Sequence, residues 1–246
     1  MRRPGRRLGL GVALAAGFAA SLGCSHRSPA ASATPTRRDA IAVPRGDPPV
    51  VDGVVGDAEW SAAVAIPLGR GATLRLVHDG ARVYLGISGA PAAPGQGFGC
   101  VMIAGADQVR VLHASYKLGS ATYDRGADGA FHPRSTDYDW KDAATMLRDE
   151  GWMASLARAG DGKQQEFAIG FARLGLPARP ARIALGYFYV ETPGAADLAG
   201  AAALVWPAGL RDAVGEVRLL AGFNPDALRF DTARWVILEP SHAPAR

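Results

Sequence analysis

Apolar and polar residues alternate over short stretches through most of the chain, the period of strands with one buried face. In residues 82–87, Val83, Leu85 and Ile87 fall on one side and Tyr84 and Gly86 on the other. Residues 73–77 precede them, and Asp79-Gly80 between the two runs predicts a hairpin. A second pair, 98–104 and 109–115, turns around Gly105, Ala106 and Asp107, and a third, 152–157 and 166–171, around Gly160, Asp161 and Gly162. Residues 183–190 read as a strong strand, with 214–220 and 235–238 as further strands. Residues 141–149 give the best helix in the middle of the chain. Many short strands between Gly, Asp and Pro turns predict an all-β fold: an antiparallel, immunoglobulin-like β-sandwich with a short helix in a loop.

The pattern breaks at the N-terminus. Arg2, Arg3, Arg6 and Arg7 precede an apolar run from Leu8 to Ala20. A mature membrane-spanning helix needs about 20 apolar residues, and this shorter run behind a basic head reads as a secretory signal. It ends in Ser21, Leu22, Gly23 and Cys24, which resembles the bacterial lipobox, with the Ser and Leu in swapped order. The resemblance implies lipidation at Cys24; the alternative is ordinary cleavage nearby with Cys24 incidental. The expected organisation is a signal at 1–23, a Ser-, Ala-, Pro- and Thr-rich tether at 24–40, a sandwich at 41–240 and a tail at 241–246. The expected location is the cell envelope, lipid-anchored at the outer membrane and facing periplasm or exterior, with the anchor as the only membrane contact.

Charge adds an exclusion. Of 27 Lys and Arg, four lie in the signal, leaving 23 against 23 Asp and Glu. The pI of about 9.3 therefore does not mark a nucleic-acid surface, and no nucleic-acid partner is expected. Cys100 lies in the apolar run 98–103, where a buried free thiol is the expected role.

Particular residues carry a family likeness. Asp52, Gly53, Asp57, Glu59, Trp60 and Ala63 follow an Asp-Gly, spacer, acid-x-Trp, Ala pattern. Leu74 to Gly80 and Val83-Tyr84-Leu85-Gly86-Ile87 follow, then Trp152, Glu166-Phe167-Ala168-Ile169, Leu174-Gly175 and Trp206-Pro207. In this order the set resembles family 9 carbohydrate-binding modules and the wider DOMON-like sandwiches. Gly170 departs from the pattern, which has Pro there. The resemblance implies a β-sandwich with carbohydrate as partner; ligand residues in the variable loops carry over less securely than the fold. Read from the residues alone, Trp60 and Tyr84 are packing residues.

Catalytic motifs are missing from the sequence: there is no Gly-x-Ser-x-Gly, phosphate loop, His-Glu-x-x-His or Cys-x-x-Cys. No enzyme and no obligatory cofactor is expected. Asp124, Asp128, Asp137, Asp139 and Asp142 offer the oxygens calcium takes, but not at EF-hand spacing; a solvated acidic loop is the competing reading. Residues 123–140 carry Tyr123, Phe131, His132, Tyr138 and Trp140 without periodicity. Such aromatics either pin the loop to the sandwich or stack on sugar faces. Trp140 and Tyr138 are the first candidate ligand-binding residues. Trp206 is the next, because Pro207 would present its indole at a sheet edge. The alternative function is a DOMON-like haem b redox domain, with Met102, Met146, Met153, His78 and His113 as available ligands. A structural envelope lipoprotein is the third reading.

Overall fold

The computed structural model describes residues 39–91, 97–159, 162–190, 201–210 and 212–241. In chain order the first strands are β1 (Ala40–Pro44), β2 (Val64–Gly69), β3 (Ala72–His78), β4 (Arg82–Pro91), β5 (Phe98–Ala104), β6 (Gln108–Ala114) and β7 (Leu118–Arg125). Two short strands follow, β8 (Phe131–Pro133) and β9 (Asp139–Lys141), then helix α1 (Ala143–Glu150). The chain continues with β10 (Trp152–Ala159), β11 (Gly162–Gly170), β12 (Arg182–Val190), β13 (Ala201–Trp206), helix α2 (Val217–Leu220) and β14 (Val236–Ser241). Among the described residues these strands form two sheets. The first runs β1-β14-β12-β5-β6-β7-β8, with β13 also on β12 and β9 also on β7; the second runs β10-β11-β4-β3-β2. The fold is an all-β sandwich, as the alternation predicts. One pair departs from antiparallel: β1 lies parallel to β14, Ala40 beside Ile237 through Pro44 beside Ser241.

The interlayer core follows from the strand period. Leu74, Leu76, Leu85, Ile87, Phe167 and Ile169 of the second sheet pack against Val101, Ile103, Leu112, Ile183, Leu185 and Tyr187 of the first. Each fully buried aliphatic or aromatic side chain contributes roughly 1.5–3 kcal/mol. The first sheet is covered on its other face as well. Cys100, Met102, Val109, Val111, Tyr123 and Phe188 there pack under Val214, Leu219, Leu220, Phe230 and Trp235.

That second cover corrects two expectations. Residues 214–220 are not a strand: they form a 3-10 turn (Ala213–Gly215) and α2. The Asp212 carboxylate accepts from Val214 N at 3.0 Å and the Glu216 carboxylate from Arg218 N at 3.2 Å. These are helix-start signals, and they outweigh the apolar run. Residues 123–140 are not an irregular loop either, since they hold the end of β7, all of β8 and the start of β9. With both faces of the sheet covered, strict alternation is lost. The expected helix is present as α1, two residues later at its start because Asp142 caps it, accepting from Thr145 N at 2.9 Å.

Outside the second sheet lies a smaller cluster in which Val55 and Trp60 pack on Val77, Tyr84 and Ala168. Trp60 and Tyr84 are both buried, the packing role read from the sequence. The indole of Trp60 rests on Gly86, where a Cβ would come within 2.9 Å of its ring. Glycine in this strand is therefore a demand of close approach.

Candidate functional site

The second sheet covers the first incompletely. Beyond its edge strand β10, the interlayer face of β6 and β7 opens into a cleft of about 580 Å³. Arg110 on β6 and Thr122 on β7 are direct cross-strand partners on its floor, beside Ser120. Arg134, Ser135, Asp137 and Asp139 line it from the segment containing β8 and β9; Glu150 and Arg173 line it from the end of α1 and the 3-10 turn Phe171–Leu174. Asn224 completes this polar lining.

Most of these groups are held by one another. The Glu150 carboxylate accepts from Ser120 Oγ at 2.8 Å and Lys141 Nζ at 3.1 Å, and pairs with Arg173 at 3.2 Å. Arg173 Nε also donates to the Glu150 carbonyl at 2.6 Å. Arg134 grips Asp124 through two bonds of 2.6 and 2.8 Å, which hold the Asp124 carboxyl below its ordinary pKa. Asp137 accepts from the Trp140 indole at 3.1 Å and from Tyr138 N at 2.8 Å. Asp139 pairs with Lys141 at 2.9 Å. Fixed donors and acceptors on strands and a capped helix make a preorganised polar surface.

A second cleft, of about 680 Å³, lies at the other end of α1. Its lining includes Tyr116, Lys117, Trp140, Asp142, Thr145 and Ser155, and Tyr116 is 80% exposed. A third, of about 440 Å³, is lined by Arg110, Arg173 and Arg179 with Gln108 and the turn after β5.

The residues singled out in the sequence separate here. Trp140 is half-buried: its indole packs edge-on to His113 and lies over Gly119, where a Cβ would meet it at 2.7 Å. Tyr138 is buried and its hydroxyl donates to Leu219 O at 3.1 Å. Burial pushes its pKa well above the ordinary value. Trp206 is buried in the interlayer core at 4% exposure, so the expected edge-presented indole is not what the fold makes. Pro207 follows a cis peptide, and the indole turns inward. Tyr123 and Phe131 are likewise core residues, so these two aromatics pin their segment to the sheet. Cys24 lies outside the described residues.

The acidic residues do not gather around a cation. Asp128 bonds His132, Asp142 caps α1, and the others are paired as above. Among the described residues no group of three or more His, Cys, Asp or Glu is placed to hold a metal. Four of the haem-ligand candidates are engaged in bonds or packing. His113 Nδ1 lies 3.2 Å from Cys100 Sγ, and its ring is enclosed by Phe98, Tyr138 and Trp140. His78 Nε2 lies 3.1 Å from Ser241 O. Met102 and Met146 are fully packed, in different clusters.

In comparisons with solved structures, the chain is similar to family 9 carbohydrate-binding modules. One, from Caldicellulosiruptor kristjanssonii in complex with glucose, is 13% identical over 84% of this chain and 97% of that one, with a TM-score of 0.42. Another from the same organism, in complex with cellotriose, is 11% identical over 82% and 94%, with a TM-score of 0.37. No protein-family model matches the chain, and no curated protein does.

Sequence reasoning missed Arg110, Ser120, Glu150 and Arg173. One signal was present. Arg110 shares a strand face with Leu112 and Ala114, which are core. A charged residue on that face marks where the opposite sheet stops.

Proposed function

We propose that the protein is a non-catalytic saccharide-binding domain, held in the cell envelope by lipid on Cys24. The observation that carries the binding reading is the first cleft, an open groove lined by hydroxyls, carboxylates and guanidiniums. Vicinal sugar hydroxyls need donors and acceptors side by side, and such a lining supplies both. Glu150, Asp137, Asp139 and Asp124 are each bonded to a cation or an N–H. Carboxylates so engaged suit fixed recognition better than a proton-transfer cycle. Trp140 and exposed Tyr116 in the second cleft offer aromatic surface against which a sugar ring can stack. The ordered Asp52–Trp206 motif set, similar to family 9 modules, supports the same ligand class. The envelope location rests on the Arg-rich head, the short apolar run and Cys24.

Calorimetry of the full chain in detergent against neutral and acidic oligosaccharides tests the binding. Saturable binding, weakened about tenfold or more by Ser120→Ala combined with Asp139→Asn, is the expected result; heat of dilution alone across the series removes the proposal. Incorporation of labelled fatty acid, abolished by Cys24→Ser, is expected for the anchor. An unlabelled parent chain sinks that part.

A further inference from the structure

The third cleft has an unbalanced lining. Arg110, Arg173 and Arg179 line it, and no Asp or Glu does. Arg110 and Arg173 also line the first cleft, so the two clefts adjoin across these side chains. Among the described residues neither Arg110 nor Arg179 has an acidic partner. Arg173 has Glu150 at 3.2 Å, but Lys141 takes the same carboxylate at 3.1 Å. Lys141 also has Asp139 at 2.9 Å, so two acids answer these two cations, while Arg110, a further cation with no acid of its own, acts repulsively on Arg173. The Arg173 side chain is 15% exposed, so water screens this repulsion less than it would at an open surface.

The rest of the molecule does not explain the excess. Without the signal, the chain has equal numbers of acids and bases, and the remaining arginine of the first cleft, Arg134, is paired with Asp124. Guanidinium groups are planar forks that match the oxygens of a carboxylate or sulfate two at a time. An oxyanion entering here would meet the forks of Arg110 and Arg179, which have no acid of their own, beside Arg173, which is shared with Glu150.

We infer that the saccharide bound by this protein is anionic, with a ring carboxylate or sulfate seated among Arg110, Arg173 and Arg179 and its neutral hydroxyls in the adjoining first cleft. The inference rests on the saccharide reading and adds the charge to it. Arg179 is the decisive residue because it lines the third cleft and not the first, and has no other ionic task. Arg173 also braces the end of α1 through the Glu150 carbonyl, so its loss would disturb structure as well as binding.

The test is calorimetry on the full chain with three trisaccharides: galacturonic acid, sulfated galactose and neutral galactose. At least one acidic probe is expected to bind tenfold or more tighter than the neutral one, and which of the two does so identifies the oxyanion. That preference should shrink between about 50 and 500 mM salt, as screening shortens the reach of the charges. Arg179→Gln, outside the first cleft, should weaken the acidic probe about tenfold and leave neutral-sugar affinity and melting temperature unchanged. The salt series on the parent protein keeps the test sharp should the variant fold poorly. Equal, salt-independent binding of all three probes overturns the charge assignment and leaves the saccharide reading standing. Binding of none overturns the saccharide reading and the charge assignment with it.

Discussion

The indole N–H of Trp60 donates to the buried carboxylate of Glu166 at 3.0 Å, across 106 residues of chain. The other oxygen accepts from the backbone N–H of Asp52 at 3.0 Å and of Gly53 at 2.7 Å. The Asp-Gly, Trp and Glu-Phe-Ala-Ile elements of the sequence, separate as motifs, are thus one clip. It fastens the segment before β2 to the outside of the second sheet.

Removing the acceptor leaves two buried donors, the Trp60 indole N–H and the Gly53 N–H, without a partner, and turns the more exposed Asp52 N–H to water. Each unsatisfied buried polar group costs about 1–3 kcal/mol. Glu166→Ala is therefore expected to lower stability by several kcal/mol in denaturant melts. A loss below about 1 kcal/mol would mean that water replaces the carboxylate freely.

The same carboxyl gives stability an unusual pH dependence. Burial pushes Glu166 up to about 7 from an ordinary 4.5, against the three donors. The folded state then holds a proton that the unfolded chain releases, and stability falls as pH rises from about 4.5 to 7. His113 works the other way, since burial lowers it to about 4 from 6.5. The unfolded chain takes up that proton first, so stability falls as pH drops from 6.5 to 4. The two slopes oppose each other between about 4.5 and 6.5. Thermal melts should show a weak dependence there in the parent, a rise with pH in Glu166→Gln and a decline with pH in His113→Phe. Parallel curves for all three proteins would contradict this account.

The tryptophans should separate by measurement. Trp60→Ala and Trp206→Ala remove buried indoles and are expected to cost about 3–5 kcal/mol each, with saccharide affinity unchanged in the folded fraction. Trp140→Ala, at a half-buried position, should cost less stability and weaken binding. Gly86→Val forces a side chain into the Trp60 ring and should cost at least about 1–3 kcal/mol. An unchanged melting temperature would show that the indole can move aside.

Cys100 is expected to be inert in the folded protein. It is fully buried, and burial pushes its thiol far above the ordinary pKa. Maleimide labelling should be at least about a hundredfold slower than in the unfolded chain. With Cys24 lipidated, denaturant should expose one thiol per chain. Two would count against the anchor.

Alternation gave away the strands whose second face meets solvent or a thin cover, such as β3 and β4. It concealed β7 to β9, because Tyr123, Phe131 and Tyr138 point into a second core that only the later segment 213–235 creates. Trp206 misled for a related reason. Pro207 does constrain the backbone, but which way the indole turns depends on packing against elements far away in the chain. Arg110 and Arg173 were less legible still. They lie 63 positions apart in the chain and become neighbours only where the turn after β11 of the second sheet meets β6 of the first.

The parallel pairing of β1 with β14 sets how the domain answers a mechanical load. A pull from the upstream chain reaches the sandwich at Ala40 and runs along β1, whose five residues stand in register with 237–241. Tension in that direction is shared by the whole ladder in shear; in an antiparallel hairpin pulled at its open end the bonds would part singly, from one end inward. A domain tugged at its N-terminus would hold until β1 slid as a unit, so its resistance depends on the barrier to that slide. Single-molecule pulling from residue 39 would read that resistance directly.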